Sequence, residues 1–491
     1  MEPITLLFLG LALCLAFGFE CVNGFHDTAN AVATVIYTNT MRPTVAVVWS
    51  GLWNLTGVLL SSGAVAYGII ALLPVELVLH VGSGAGFAMV FALLIAAMIW
   101  NVGTWYMGLP ASSSHTLIGA IVGVGLMNSL LSPGHVFGDG VNWGKVQDTL
   151  GALIISPIIG FVGSALLLIL MKFLVRRAEL YRAPEGGLGG KPPPPWVRAL
   201  LVLTCTGVSF AHGSNDGQKG MGLIMLILIG VVPATFALNL AIGGTELSGI
   251  KTQNAAAQTT LASYVKSGTM TSAAAEQTLS DYIKVSGKVS DDVFRAFATK
   301  NAELGSTIKN VTTLAQIPSQ ERANVRTDIY LVDETIGKLG KTKKITASEK
   351  NDLAAYKKEL DRATKFIPNW VKVAVALCLG LGTMVGWKRI VVTVGERIGK
   401  EHLTYAQGAS AELVTMATIQ SADILGLPVS TTHILSSGIA GTMFANRSGL
   451  QTQTLRNILL AWVLTLPVCV FLGAMLFGGG LLIVLKLFGA H

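Results

Sequence analysis

The sequence predicts an all-α polytopic membrane protein: an inverted-repeat helical bundle of about ten membrane elements with discontinuous helices, plus a soluble helical insert. Three observations support this fold class. Charged residues are only 13% and apolar residues 52% of the 491 residues, and the mean hydropathy is +0.60. Polar motifs inside apolar segments occur in matching pairs, and one long polar stretch interrupts the second half. Such a composition is typical of polytopic membrane proteins and excludes an ordinary soluble enzyme.

The net charge points to membrane orientation. The formal charge of +8 is concentrated in loops between apolar segments, which a membrane topology signal explains better than nucleic-acid binding. We therefore expect no nucleic-acid partner. The five cysteines lie in or beside apolar segments without metal-ligand spacing, so they are interpreted as small apolar residues.

The first transmembrane repeat is predicted over residues 1–176. Its first apolar segment lacks a basic start and a cleavage site, so it is interpreted as a retained helix that is polar in its middle. Further elements are predicted at 44–73, at 86–107, in a helix that begins at Pro110, and at 150–175.

A basic, proline-containing linker at 177–198 separates the repeats and should be cytoplasmic. The second repeat covers 199–243 and 368–491 and is interrupted by the polar helical insert at 244–367. An odd number of elements per half places the basic loops on one side, and it gives the two halves opposite orientations. Both termini and the insert are then predicted to be periplasmic. The insert is interpreted as a peripheral module, with a cap or partner-binding domain as the alternative.

Two polar motifs, here called the aspartate motifs, repeat each other. Gly24–Ala31 reads Gly-Phe-His-Asp-Thr-Ala-Asn-Ala, and Gly213–Gly220 reads Gly-Ser-Asn-Asp-Gly-Gln-Lys-Gly. The alignment pairs Asp27 with Asp216 and Asn30 with Lys219. Ionisable groups inside apolar segments are costly and usually mark a substrate or ion path. The two motifs are therefore predicted to be halves of one site.

Two further motifs, the serine–threonine motifs, follow in matching positions. Pro110–His115 reads Pro-Ala-Ser-Ser-Ser-His, and Pro428–His433 reads Pro-Val-Ser-Thr-Thr-His. A helix start of this kind presents free N–H groups and hydroxyls at the positive end of the helix dipole, which suits a tetrahedral oxyanion. The alternative is that the hydroxyls only bond neighbouring helix carbonyls. The predicted substrate-binding residues are Asn30, Ser112, Ser113, Ser114, Thr116, Lys219, Ser430, Thr431 and Thr432.

Acidic side chains cannot attract an anion, so they are predicted to serve a co-transported cation or proton. Lys219 is predicted either to contact the anion or to pair with Asp216. Histidines beside the motifs suit proton relay, although a lone histidine more often only bonds its helix. The predicted coupling residues are Asp27, Asp216, Glu412, His26, His115, His212 and His433.

Other classes of protein fit poorly. The glycine-rich segments lack the strand and helix context of a nucleotide loop, and no nucleophile and base are paired at a fixed spacing. We therefore expect neither an enzyme nor an ATP-driven pump.

The four motifs resemble those of the PiT family of inorganic phosphate transporters, and the aspartate motifs resemble more narrowly those of its bacterial low-affinity permeases. The resemblance implies phosphate import by symport through alternating access in a bacterial inner membrane. It also implies proton coupling, a neutral divalent metal–phosphate complex as the transported species, and no covalent cofactor; the identity of the metal and its ligands stay open. His26 and Lys219 depart from the family's commoner Gly-Ala-Asn-Asp-Val-x-Asn-Ala pattern. A lysine ammonium can replace a bound monovalent cation, which favours protons over sodium.

Three rivals stay open: a sulfate symporter, a sodium-coupled phosphate symporter and a passive anion channel. The expected partners are inorganic phosphate and membrane lipid, and a homo-oligomer is left open.

Overall fold

The structure is a computed structural model that describes residues 3–73, 77–78, 82–132, 137–138, 141–185, 189–265, 268, 270–284 and 287–488. Within these ranges the chain is α-helical apart from turns, loops and two short 3₁₀ segments, with no β-strand. The predicted all-α membrane fold is confirmed.

The first half contains seven helices in the described ranges. They are α1 (Pro3–Asp27), α2 (Ala29–Tyr37), α3 (Pro43–Leu60), α4 (Ala64–Ile70), α5 (Gly84–Tyr106), α6 (Ser113–Leu131) and α7 (Trp143–Leu174). A 3₁₀ turn at Ala178–Tyr181 lies in the linker that follows.

The second half begins with a helix of 37 residues and then enters the insert. Its described helices are α8 (Pro195–Val231), α9 (Pro233–Phe236), α10 (Gly244–Ala262), α11 (Ser272–Ile283), α12 (Asp291–Lys309), α13 (Arg322–Leu339), α14 (Ala347–Thr364), α15 (Asn369–Thr383), α16 (Lys388–Glu396), α17 (Tyr405–Ile424), α18 (Thr431–Asn446) and α19 (Thr452–Phe488). A 3₁₀ turn at Leu314–Gln316 lies within the insert.

Within the described residues, six spans are long and apolar enough to cross a membrane: α1 with α2, then α3, α5, α6, α7 and α19. The bent pair α14–α15 would make a seventh. The long helix α8 and the helices α17 and α18 are not among these spans. Helices α8 and α17 carry many of the buried polar residues of the second half, which lowers their mean hydropathy, and α18 is only 16 residues long.

The aspartate motifs do not interrupt their helices as much as the sequence predicts. Only Thr28 separates α1 from α2, and its dihedral angles are helical (φ −52°, ψ −38°). Helix α8 continues through Gly213–Gly220 without a break. Inside a bilayer a continuous helix satisfies every backbone polar group, so the polar side chains are accommodated by burial between the halves instead of by unwinding.

Each half packs mainly against the other half. Between the halves, the contact of α1 with α15 corresponds to that of α8 with α3, and the contact of α6 with α19 corresponds to that of α18 with α7. Within the halves, the α5–α6 contact corresponds to α17–α18, and the α1–α5 contact corresponds to α8–α17. The packing therefore follows a pseudo-two-fold relation that brings the equivalent motifs together.

Two equivalent glycines lie at close approaches between these helices. A Cβ atom added at Gly123 of α6 would lie 2.0 Å from the carbonyl oxygen of Val470 in α19. A Cβ atom added at Gly441 of α18 would lie 2.1 Å from the carbonyl oxygen of Phe161 in α7. Small residues at helix crossings are the usual means of close packing in membranes.

The insert has a hydrophobic core of its own. Buried side chains from α10 to α14, including Phe297, Val332 and Tyr356, form one cluster that is separate from the clusters of the bundle. Its two ends meet, because the N–H of Asn239 donates to the carbonyl oxygen of Ala363 at 2.8 Å.

Candidate functional site

The two motif aspartates lie side by side at the interface between the halves. The Ser113 hydroxyl, at the start of α6, is 3.2 Å from Oδ2 of Asp27 and 3.4 Å from Oδ2 of Asp216, and it can donate to one of them at a time. Both carboxylates are buried, with residue exposures of 2% and 0%. The pairing inferred from the repeat thus appears in the structure as direct proximity.

Lys219 supplies the positive charge of this cluster. Its Nζ lies 2.7 Å from Oδ2 of Asp216, one turn earlier on α8, and 3.4 Å from the Ser113 hydroxyl. The side chain is fully buried. Lys219 therefore forms the ion pair with Asp216 that was one of its two predicted roles, and it also lies near Ser113, a predicted anion donor.

Asn30 connects the first aspartate motif to the second serine–threonine motif. Its Nδ2 lies 3.0 Å from the hydroxyls of both Thr431 and Thr432, and 3.3 Å from Oδ1 of Asp27. Thr432 in turn donates to Oδ1 of Asp27. One carboxylate thus accepts hydrogen bonds from side chains of both halves.

The two serine–threonine motifs form helix starts of the same design. The Ser112 hydroxyl accepts a hydrogen bond from the N–H of His115, and the Ser430 hydroxyl accepts one from the N–H of His433, both at 3.2 Å. These are N-cap contacts, which leave the next residues of each first turn facing the cluster. Ser112 and Ser430 therefore shape the helix starts, while Ser113, Thr431 and Thr432 reach the carboxylates or Asn30.

Two predicted substrate residues bond elsewhere. The Ser114 hydroxyl donates to the carbonyl oxygen of Val429 at 2.7 Å, which ties one helix start to the other. The Thr116 hydroxyl lies 2.9 Å from Oδ1 of Asn101 and 2.7 Å from the carbonyl oxygen of Ser112. This is the helix-bonding alternative raised for these hydroxyls.

The four motif histidines divide into two groups. His26 and His212 lie beside the carboxylates, with His26 Nδ1 3.6 Å from Asp27 Oδ1 and His212 Nε2 3.8 Å from Asp27 Oδ2 and 3.6 Å from Asp216 Oδ2. His115 and His433 instead face each other across the pseudo-two-fold, with ring centroids 4.6 Å apart, and His433 also stacks on Trp462 at 3.9 Å.

Glu412 lies in a separate cluster. It is fully buried in α17 and accepts hydrogen bonds from Thr34 of α2 and Thr204 of α8. It therefore connects the motif-bearing helices α2 and α8, and neither of these hydrogen bonds involves Ser113 or the two aspartates.

Several site residues carry little sequence signal. The Oδ1 atom of Asn54, on α3, lies 2.7 Å from Nδ1 of His212, and the Nδ2 atom of Asn54 donates to the Thr383 hydroxyl at 3.2 Å. Thr104 of α5 contacts His26 Nε2 at 3.1 Å. Each lies in an apolar helix among a few other polar residues and outside any motif, so no sequence feature singled it out.

A cation could be held by one set of residues in the described part of the chain. One ligand atom each from Asp27, His212 and Asp216 lies within 4.8 Å of the other two, and all three residues are buried. The cluster thus combines candidate cation ligands with hydroxyl, amide and ammonium donors, which suits joint binding of an anion and a cation.

Comparison with known proteins identifies the relatives of this chain. A model of the phosphate transporter family matches residues 23–186 and 188–473. The chain is 42% identical over 485 residues to the low-affinity inorganic phosphate transporter PitA of Escherichia coli strain K12, covering 96% of each chain. It is 40% identical to PitB of the same strain, covering 97% of each.

A more distant relative and one solved structure extend the comparison. The chain is 27% identical to a probable low-affinity inorganic phosphate transporter of Bacillus subtilis strain 168, covering 96% of this chain and 97% of that one. A solved structure titled as the sodium-dependent phosphate transporter has the same fold, with a TM-score of 0.51, 18% identity and coverage of 96% of this chain and 98% of that one. The chain therefore belongs to the phosphate transporter family, the PiT family that its motifs resemble.

Proposed function

We propose that this phosphate transporter imports phosphate across the bacterial inner membrane by proton symport, with a neutral divalent metal–phosphate complex as the transported species. The observation that carries the proposal is the meeting of Asp27, Asp216 and Lys219 around the Ser113 hydroxyl, at the interface of the two halves. Such an interface near the bilayer midplane is where alternating-access transporters bind their substrates.

The donors around the carboxylates form the proposed anion site. They are the hydroxyls of Ser113, Thr431 and Thr432, the amide of Asn30 and the ammonium of Lys219. These donors now bond the two aspartates or one another, so an incoming oxyanion must take them over. Hydrogenphosphate also has a hydroxyl that a carboxylate can accept, whereas sulfate has none. Asp27 beside the anion therefore favours phosphate over sulfate.

The charge balance supports coupling to a cation. Two ionised aspartates and one ammonium leave a net negative charge before any anion arrives. Ligand atoms of the two aspartates lie within 4.8 Å of each other, and like charges at that separation repel by roughly 3 kcal/mol at an effective dielectric constant of about 20. An oxyanion would therefore bind weakly alone and better with a proton or metal ion on the carboxylates, and this joint binding is the basis of symport.

Asp27, His212 and Asp216 are the proposed ligands of the metal that accompanies phosphate. Asn54 Oδ1 is an acceptor, so His212 donates its Nδ1–H to it and leaves the Nε2 lone pair facing both carboxylates. Three acceptors that converge in this way repel each other unless a cation lies between them. A histidine whose second nitrogen bonds an acceptor is also the usual arrangement of a metal ligand.

Protons are preferred over sodium as the driving ion because Lys219 already provides a fixed monovalent cation at Asp216. Sodium stays the alternative, since the solved relative is titled sodium-dependent. Glu412 is a further candidate for a coupling proton, because it is a buried acid held between motif-bearing helices of both halves. His26, His115 and His433 stay candidates for proton relay.

The membrane arrangement is part of the proposal. We assign 1–176 and 199–243 with 368–491 to two oppositely oriented repeats, 177–198 to a cytoplasmic linker and 244–367 to a periplasmic module, with both termini periplasmic. The exchange of equivalent helix contacts between the halves supports the repeat assignment. The separate core of the insert supports a peripheral module.

Uptake into proteoliposomes tests the function. Proton and sodium gradients are imposed separately, with Mg²⁺ or Mn²⁺ present or removed by a chelator. We expect an inward proton gradient to drive uphill phosphate accumulation that a protonophore collapses and chelation reduces. Accumulation driven by sodium alone would select the sodium-coupled alternative. Equilibration without accumulation would indicate a passive channel, and full competition by excess sulfate would indicate a sulfate symporter.

A further inference from the structure

Glu20 is a buried acid without a side-chain partner. It lies on α1, seven residues before Asp27, with an exposure of 0%, and among the described residues neither carboxylate oxygen bonds a side chain; the backbone N–H of Gly220 faces it. Asn23, three residues later, is equally buried, and neither polar atom of its side chain has a partner there. Residues three and four apart share a helix face, so Glu20, Asn23 and Asp27 form one polar stripe that leads to the site.

The Glu20 carboxylate packs against the second aspartate motif. A Cβ atom added at Gly220 of α8 would lie 2.3 Å from Glu20 Oε1, so only glycine leaves room for the acid. The charged and titratable groups near Glu20 are Asp216 and Lys219 on α8, Cys21 on α1 and Cys378 on α15. The acid therefore lies near the Asp216–Lys219 ion pair, and it forms no hydrogen bond with the anion donors.

Glu20 and Lys219 both break the repeat between the halves. The alignment of the aspartate motifs pairs Glu20 with Ser209, just as it pairs Asn30 with Lys219. Ser209 is fully bonded, because its hydroxyl donates to the carbonyl oxygen of Cys205 at 2.8 Å and lies 3.0 Å from the Ser50 hydroxyl. The first half thus carries an acid, Glu20, and the second half a cationic residue, Lys219, that the other half lacks. Both lie where α1 contacts α8.

A proton fits this position better than a metal ion. Hard divalent cations need about six or more oxygen ligands. The orphaned atoms of Glu20 and Asn23 come from two residues, one fewer than at the proposed metal site, and they bond no anion donor that could help to complete such a shell. A buried carboxylate is costly to desolvate, and binding one proton removes its charge.

We propose that Glu20 holds the coupling proton of the transport cycle, taking it up and releasing it beside the Asp216–Lys219 pair. The inference rests on the proposed proton symport and deepens it by assigning the proton to a residue outside the anion site. Loss of the proton leaves Glu20 as a second anion next to Lys219, which weakens the hold of Lys219 on Asp216. Proton binding restores that ion pair.

Glu20→Gln tests the inference in proteoliposomes because it mimics the protonated acid permanently. Exchange of labelled internal for external phosphate without a gradient needs no net proton movement, so we expect Glu20→Gln to keep exchange. We expect the same variant to lose uphill accumulation and pyranine-detected proton influx under an inward proton gradient. Accumulation equal to that of the unsubstituted protein, or loss of exchange from a monodisperse variant, would overturn the proposal.

The design separates the two claims. If the unsubstituted protein does not respond to a proton gradient, the proposed function fails before the variant is considered. If Glu20→Gln does not fold, Glu20→Asp replaces it, because a shorter side chain keeps the acid but moves it away from Gly220. We then expect the pH midpoint of driven uptake to shift, and an unchanged pH profile would overturn the assignment.

Discussion

Asp216 and Lys219 form an ion pair inside the bundle, with Nζ and Oδ2 2.7 Å apart and both side chains fully buried on one turn of α8. The equivalent pair in the first half, Asp27 and Asn30, is joined by a neutral donor at 3.3 Å. The site is therefore built from similar halves but carries its fixed positive charge on one side only.

Lys219→Gln should both destabilise the protein and impair transport. Breaking a buried ion pair by removing one partner costs about 3–5 kcal/mol, because the other charge is left uncompensated. We expect a lower melting temperature in detergent and weaker phosphate uptake. The double variant Asp216→Asn with Lys219→Gln should recover the melting temperature but not uptake. Unchanged uptake kinetics in Lys219→Gln would reduce the lysine to a structural role.

Asp27→Asn should abolish coupled uptake and leave membrane insertion intact. Ser113, Asn30 and Thr432 all bond this carboxylate, and an amide keeps its shape but cannot bind a proton or balance a cation. Gradient-driven uptake by membrane vesicles, normalised to the protein present, measures the effect.

Asp423→Asn is the matched control for Asp27→Asn. Asp423 is also a buried acid, and it accepts hydrogen bonds from Ser214 and Gln218 away from the anion donors. Uptake should persist in this variant. Equal loss of uptake in both variants would mean that any buried acid is required, and normal uptake in Asp27→Asn would remove the coupling role.

The repeat was sufficient to predict that the two aspartate motifs form one site, and Asp27 and Asp216 do lie together. The sequence did not predict the contact between His115 and His433, because equivalent residues meet only where they lie near the symmetry axis. It could not predict the partners that come from other helices. Asn54 and Thr104 lie in apolar helices without a motif, and their roles depend on which helices pack together.

The sequence also could not divide the hydroxyls by role. Ser113 and Ser114 are neighbours of the same type, yet they point in different directions on the helix, so one reaches the carboxylates and the other a carbonyl of Val429. The sequence predicted discontinuous helices, but α8 runs through the second aspartate motif without a break. Burial between the halves, which no local pattern reports, makes unwinding unnecessary there.

His212→Asn should change the metal preference of transport. Imidazole favours Zn²⁺ over Mg²⁺ and Mn²⁺ more than oxygen ligands do, and His212 Nε2 is 3.6 Å from Asp216 Oδ2. We expect stimulation of phosphate uptake by Zn²⁺ to fall more than stimulation by Mg²⁺ or Mn²⁺, measured as uptake against free metal concentration. A parallel fall for all three metals would argue that His212 is not a ligand.

Gly123→Ala and Gly441→Ala should destabilise the bundle to similar extents. Each new Cβ would lie within 2.1 Å of a carbonyl oxygen on the facing helix, and such overpacking typically costs about 1–3 kcal/mol. Gly103→Ala in α5 is the control, because nothing lies within 4 Å of its added Cβ, and it should be neutral or slightly stabilising. Melting temperatures in detergent measure the effect. A large difference between the first two variants would contradict the pseudo-two-fold packing.

Excision of the insert should leave transport largely intact. The N–H of Asn239 donates to the carbonyl oxygen of Ala363 at 2.8 Å, so a short Gly-Ser linker can replace residues 241–362 without moving α8 or α15. The insert buries its own core, and Arg326 anchors it to the carbonyl oxygens of Ala237 and Thr364 at its base. Phosphate uptake by the shortened chain, normalised to the protein in the membrane, measures the effect. Loss of uptake in a shortened chain that stays monodisperse would mean that the insert acts in the transport cycle and is more than a peripheral module.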